Sequence, residues 1–261
     1  MTDDALLLSE QDEHGVRTLT LNRPKAYNAL SRPLMAAVSA ALAEVAGDAS
    51  VRVLVIAGSG NGFCAGHDLR EVRGLNSDDE RRGLLTQCSD MMQAIVAHPK
   101  PVIAQVHGVA SAAGCQLVAT CDLAIATDDT RFATPGVNIG LFCHTPLVAV
   151  GRNVSRKHAM EMALTGEAMD AETAHRFGLI NRAVPADDLR QETLALAHQI
   201  ASKSSYTLRI GKQALYRQLE MELSEAYDFA STVMLENLLA HDADEGIGAF
   251  VEKRQPEWRD R

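Results

Sequence analysis

No two cysteines in this 261-residue chain stand at CxxC spacing. The five present, Cys64, Cys88, Cys115, Cys121 and Cys143, are odd in number and lie among apolar or glycine-rich neighbours. That argues against a disulfide framework or a structural zinc site and points to a reducing, cytoplasmic location. No apolar run approaches the roughly 20 residues of a membrane span. The opening stretch MTDDALLLSEQDEHG is acidic and only briefly apolar, so it reads as neither a signal peptide nor an Arg-rich transit segment. Positive charge is in deficit, with 25 Lys and Arg against 34 Asp and Glu and a net charge of −9. A nucleic-acid surface is therefore not expected, although a local basic patch for an anionic ligand is compatible with that balance. The chain has no GxxxxGK[ST], no GxGxxG between strand and helix, and no GxSxG, which removes the usual nucleotide-phosphate and nucleophile-elbow readings. His, Asp and Glu are not grouped at ligand spacing, so no metal site is expected.

What is present is apolar and patterned. Hydrophobic residues make up 46% of the chain, enough to bury the core of one large domain or one domain with an appendage. Val16–Leu21 alternates as a strand. Ser31 is an N-cap for a helix that stops near Gly47, and Val51–Gly58 is a short buried strand. Ser77 with Glu80 forms a capping-box pattern ahead of a helix that ends before Pro99. PVIAQVHG, DLAIATDD and RFATP read as strands, with a small-residue helix opening between the first two. The alternation implies a layered α/β core with right-handed crossovers. Beyond about residue 145 the pattern is mostly helical, with LINRAV as a possible strand. The expected organisation is a core over 1–190 and a helical region over 191–261 that packs on the core or on a neighbouring subunit.

Three glycine-rich loops follow strands, and ligands of open α/β sheets bind where strands end. They are GSGNGFCAGHDL, HGVASAAGCQL and TPGVNIGLFCHTP. Small residues let a ligand approach the backbone, and one N–H from each of the first two loops can converge on a single oxygen with a helix dipole behind it.

Six blocks, LNRPKAYNALS, VLVIAGSGNGFCAGHDL, PVIAQVHGVASAAGCQLVATCDLAIA, FATPGVNIGL, LTGEAMDAETAHRFGLINRAV and GIGAFVEKR, occur in this order over roughly residues 16–255. Together they resemble the enoyl-CoA hydratase/isomerase family of the crotonase superfamily. The resemblance implies a spiral of ββα units with a helical C-terminal region, assembled as a homotrimer or hexamer. It implies an acyl-CoA thioester as partner, with coenzyme A entering as part of the substrate and no separate cofactor. By the same resemblance, the thioester oxygen would sit between the backbone N–H groups of His67 and Ala113. The His67 side chain then needs no role and reads as an ordinary loop histidine. Lys25, Ala26 and Tyr27, with Ala65, Asp68 and Leu69, would line coenzyme A. Phe250 and Lys253 would reach the nucleotide phosphate, often that of a neighbouring subunit.

The chain departs from the pattern at the acid/base positions. Gln116 and Gly136 stand where hydratases of the family carry two glutamates. Glutamine has no titratable proton near neutral pH and glycine offers no group at all. His144 falls where hydratases carry a small glycine and is one candidate replacement; the alternative is that it plugs the pocket or faces a subunit contact. Asp68 reads as a cap for the helix after it. The missing glutamates are shared by a branch that the sequence also resembles, the enoyl-CoA hydratase domain-containing proteins. Two functions therefore stand side by side: an enzyme acting through enolate stabilisation, with weak or altered hydratase or isomerase activity, and a non-catalytic acyl-CoA-binding or regulatory protein.

Overall fold

The computed structural model describes residues 5–261. Two antiparallel strands open it, β1 (Leu7–Gln11) and β2 (Val16–Leu21), with Leu7 opposite Leu21. A 3-10 turn (Pro24–Ala26) leads to α1 (Arg32–Gly47), where Ser31 accepts the Leu34 N–H. Then come β3 (Val53–Gly58), α2 (Leu69–Gly74), α3 (Asp78–Val96), β4 (Val102–Val106), β5 (Val109–Ser111), α4 (Ala113–Thr120), β6 (Leu123–Thr127) and β7 (Arg131–Ala133). A second 3-10 turn (Pro135–Ile139) precedes α5 (His144–Asn153), α6 (Arg156–Thr165), β8 (Met169–Asp170), α7 (Ala171–Phe177) and β9 (Arg182–Val184). Four helices complete the chain: α8 (Leu189–Ala201), α9 (Ser205–Gln218), α10 (Leu223–Leu238) and α11 (His241–Glu252).

The main sheet has the order β1-β2-β3-β4-β6-β9 and is parallel except for β1. Strands β5, β7 and β8 form a second, small sheet. Parallel neighbours need crossovers, which put helices on both faces of a sheet and make its strands apolar on both sides. Strand β3 shows this. Leu54 and Ile56 join Leu34, Met35, Met91, Ile95 and Leu117 in the larger core under α1, α3 and α4. Val53 and Val55 point the other way, with Val16 and Ile103, into a smaller core closed by Ala197 and Ala201 of α8. The boundary expected between 190 and 191 thus falls inside a helix that covers the sheet.

The C-terminal helices are pinned where the strands begin. Lys212 of α9 pairs with Asp122, just before β6, at 2.7 Å. Its Nζ also donates to the Ile95 and Lys100 carbonyls, at 3.1 and 3.2 Å. Asp122 further accepts the Tyr216 hydroxyl at 2.9 Å and the Val102 N–H at 2.7 Å. Burial pushes the Lys212 ammonium below its usual range and the Tyr216 phenol above its own. Nearby, Arg52, just before β3, donates to the Ala201 and Lys203 carbonyls and to Asp260.

Candidate active site

The loops after β3 and β4 are laced together by backbone. The Phe63 N–H donates to the His107 carbonyl at 2.9 Å, Cys64 to Val109 at 3.0 Å, and Ser111 to Cys64 at 2.9 Å. A Cβ on Gly114 would overlap the Cys64 carbonyl oxygen. Gly66 has a φ of +96°, and a Cβ there would lie 2.9 Å from the Ser111 carbonyl oxygen and 3.2 Å from the Ala113 nitrogen. Only glycine at these two places lets the strands' ends approach so closely.

That approach presents two free donors side by side. Leu30 pairs with the loop by donating to the Gly66 carbonyl and accepting the Asp68 N–H, which leaves the N–H of His67 between them directed elsewhere. Ala113 is the first residue of α4, so its N–H has no partner in the helix and lies at the positive end of the helix dipole. Neither N–H meets a backbone acceptor among the described residues. Ala112, just before, has φ 49° and ψ −115°. Such a conformation costs an alanine about 1–3 kcal/mol. It is held by the Ala112 N–H on the Ala133 carbonyl, at 2.8 Å. Two donors fixed in advance on rigid backbone are the makings of an oxyanion hole.

Buried polar groups without partners follow the ends of strands or open the helix after one. Among the described residues they are Ser59 Oγ, both ring nitrogens of His67, Gln116 Oε1 and Thr134 Oγ1. Ser59 and His67 follow β3, Gln116 is one turn into α4, and Thr134 follows β7. Buried polar groups are nearly always satisfied, so these exceptions single out the loops that follow the strands. Thr134, Ser59 and the His67 ring gave no sign of this in the sequence, because burial is decided by the packing of distant segments.

The acid/base positions are now explicit. Gln116 is buried, and its Oε1 can only accept. Gly136 is buried in the turn after β7; a Cβ would lie 2.9 Å from the Leu141 carbonyl oxygen and 3.0 Å from Cys143 Sγ. A glutamate there is barred by space, its φ lying outside the left-handed region. His144 is the first residue of α5; it is exposed and packs on the Phe142 ring, with centroids 5.0 Å apart. Burial pushes the thiols of Cys64 and Cys115 up to about 12 and raises that of Cys143, so none is a ready nucleophile. Burial also holds the His67 imidazole below its usual range, which keeps it neutral at pH 7.

The residues assigned to coenzyme A divide into two groups. Pro24–Asn28 lies against the loop after β3. Tyr27 and Asn28 both have positive φ. Asn28 Nδ2 donates to the Ser59 and Gly62 carbonyls, each at 2.8 Å, and the Ala65 N–H donates to the Tyr27 carbonyl. Lys25, Tyr27, Ala65 and Leu69 are exposed, and Ala26 is half-buried. Asp68 caps α2 and accepts from Arg23 at 2.8 Å. That guanidinium holds its carboxyl below the usual range, so Asp68 braces the two loops. Among the described residues, no hydrogen bond joins Phe250 or Lys253 to these residues. Lys253 ends α11 with a φ of +57°, and Phe250 is 86% exposed. Asp242 of α11 accepts the Arg259 and Asp260 N–H groups, and Asp260 is tied to Arg52. The start of α11 is thereby tied to Arg52, just before β3, while Phe250 and Lys253 lie at the helix's other end.

Elsewhere, a surface depression lies between α1 and α3, lined by Arg32, Ala36, Ser39, Arg82 and Gln87; none of the unpartnered atoms belongs to its lining. Among the described residues no group of His, Cys, Asp and Glu is placed to hold a metal ion, and no helix is long and apolar enough to cross a membrane.

Comparison with known proteins decides the family. The sequence model of the enoyl-CoA hydratase/isomerase family matches residues 11–261. The chain belongs to the enoyl-CoA hydratase/isomerase family. It is 44% identical to rat enoyl-CoA hydratase domain-containing protein 3, mitochondrial, over 252 residues, 97% of this chain and 84% of the relative. A crystal structure of an enoyl-CoA hydratase from Mycobacterium smegmatis is 51% identical, with a TM-score of 0.96 over 98% of this chain and 99% of that one. The structure of human enoyl-CoA hydratase domain-containing protein 3 is 42% identical, with a TM-score of 0.94 over 97% of this chain and 100% of that one. The crotonase-type fold inferred from the six blocks is thereby established. The cytoplasmic location is overturned: the animal relatives are named mitochondrial. Unpaired thiols report redox conditions and carry no address.

Proposed function

We propose that this family member binds acyl-CoA thioesters and stabilises negative charge on the thioester oxygen, between the N–H groups of His67 and Ala113. The observation that carries the reading is the pair of unpartnered N–H groups on two laced loops. Each such donor is worth about 3 kcal/mol to a developing enolate. Lys25, Ala26, Tyr27, Ala65 and Leu69 offer coenzyme A an exposed rim, with the Asp68–Arg23 brace behind it. Phe250 and Lys253, at the C-terminal end of α11, serve the site of a neighbouring subunit in a homotrimer or hexamer. The exposed apolar residues Leu219, Leu223, Leu239, Phe250 and Val251 supply the contact surface.

Ordinary hydration is not the activity expected. Loss of one positioned acid or base costs about 10²–10⁴-fold, and here neither Gln116 nor Gly136 titrates. Calorimetric titration with coenzyme A, acetyl-CoA and a long-chain acyl-CoA tests the binding. Failure of every thioester to bind below millimolar concentration would end the proposal. Crotonyl-CoA hydration, followed at the enoyl absorbance, should fall far below the ~10 s⁻¹ typical of enzymes. The absent carboxylates favour one second reading, a non-catalytic acyl-CoA-binding or regulatory protein; tight thioester binding without turnover of any acyl-CoA would select it.

A further inference from the structure

The His67 ring has an environment unlike that of the other well-buried histidine. His98 has both ring nitrogens engaged, Nδ1 with Lys100 and Nε2 with the Leu42 carbonyl. Both nitrogens of His67 are buried and make no well-formed hydrogen bond among the described residues, the Leu30 backbone being the polar group beside the ring. The ring hangs on the residue whose backbone N–H forms half of the oxyanion hole. Only Cα and Cβ separate that nitrogen from the ring. A thioester oxygen at about 2.9 Å from the N–H nitrogen therefore sets the carbon beside the carbonyl within the ring's reach.

The other titratable groups nearby are committed or out of place. Asp68 is held by Arg23 and by the cap of α2. Glu71 of α2, the charged group beside the ring, accepts the Arg32 N–H at 2.9 Å. The thiols of Cys64, Cys115 and Cys143 are raised by burial, and His144 is exposed against Phe142. We propose that the His67 imidazole is the proton-transfer group of this site, removing a proton from the carbon next to the thioester carbonyl while the His67 and Ala113 N–H groups hold the enolate oxygen. The inference rests on the acyl-CoA binding proposed for this site.

In this step the C–H bond breaks and its electron pair forms the enolate double bond, placing charge on oxygen. The neutral ring, the base form that burial favours, gains the proton and becomes imidazolium. Reversal returns that proton or, after the imidazolium exchanges with solvent, another. The net chemistry is α-proton exchange with no bond made to water.

The experiment follows loss of the α-proton signal of butyryl-CoA in deuterium oxide by proton NMR, with butyryl-CoA affinity measured by calorimetry on the same full-length protein. The parent should exchange, and His67→Gln, which keeps the backbone N–H, should lose about 10²–10⁴-fold while affinity is retained. The parent's rate should rise with pH and level off at a midpoint below that of an ordinary histidine; His67→Gln should lack that limb. If His67→Gln does not fold, His67→Asn takes its place, and a flat pH profile in the parent is enough to overturn the role. Binding without exchange in the parent overturns it, as does exchange retained in the variant. Exchange lost in His144→Gln and kept in His67→Gln gives the role to His144 and overturns it equally. Absence of any thioester binding is a different failure: it removes the acyl-CoA reading first and this inference with it.

Discussion

The two ends of the parallel strands have opposite characters. Where β3, β4 and β7 end, N–H groups and side-chain atoms stand without partners, and Ala112 is held in a strained conformation. Where β3, β4 and β6 begin, almost every polar atom is used. Asp122 serves Lys212, Tyr216 and the Val102 N–H, and Arg52 serves Ala201, Lys203 and Asp260. Strands β3 and β4 run from one end to the other, yet the two ends do different things. The saturated end contributes stability, and the unsatisfied end holds binding energy in reserve for a ligand.

Substitutions can break that contrast or sharpen it. The largest effect is expected at the saturated end. Asp122→Ala strands the buried Lys212 ammonium and should lower unfolding stability by about 3–5 kcal/mol in a urea titration, without touching thioester affinity in the molecules that remain folded. Gly114→Ala forces a methyl onto the Cys64 carbonyl. Overpacking of this kind costs about 1–3 kcal/mol, and because it prises the two laced loops apart, thioester binding should be lost as well. Unchanged affinity would show that the lacing is not what shapes the site. Gln116→Leu should move the other way. It deletes a buried carbonyl with no partner, so stability should rise by about 1 kcal/mol; a clear loss would reveal a partner for Gln116 in the free protein. The smallest effect concerns the Arg23–Asp68 brace. The Asp68 carboxyl is held below its ordinary range in the folded state. Its stabilisation is therefore present at neutral pH and lost as pH falls through and below the ordinary carboxylate range. Arg23→Gln should cost about 1 kcal/mol or less near pH 7, and the gap from the parent should close on acidification.

Much of this architecture was legible in the sequence because its signals are local. Ser77 and Glu80 bond reciprocally, Glu80 N–H to Ser77 Oγ at 3.2 Å and Ser77 N–H to Glu80 Oε2 at 3.1 Å. Ser31 and Gly47 bound α1, and β2 occupies Val16–Leu21 as its alternation indicates. Elements without local signals went unread. Strand β1 is short and exposed over most of its length and exists through its pairing with β2. Helix α10 begins after Glu222, which makes no side-chain cap bond. At the site, the glycine-rich stretches pointed to the two loops, and the resemblance to His67 and Ala113 within them. The sequence could not show that the His67 ring is buried without partners, since Leu30 and Gly66, and the contacts of Gly66 with the Ser111–Ala113 segment, set its surroundings. Nor could it show that Gly136 lacks room for a side chain, which depends on the turn back to Leu141.

The link between Arg52 and Asp260 spans 208 residues, and it orders events during synthesis. Translation at about 5–20 residues per second leaves Arg52 waiting on the order of 10–40 s for its partner. Over much of that interval α8 is missing too, so Val16, Val53, Val55 and Ile103 lack the helix that will shield them. During synthesis the sheet thus has one face dressed and the other bare until the C-terminal helices emerge, a window in which a holdase or a sister chain competes directly with the protein's own C-terminus.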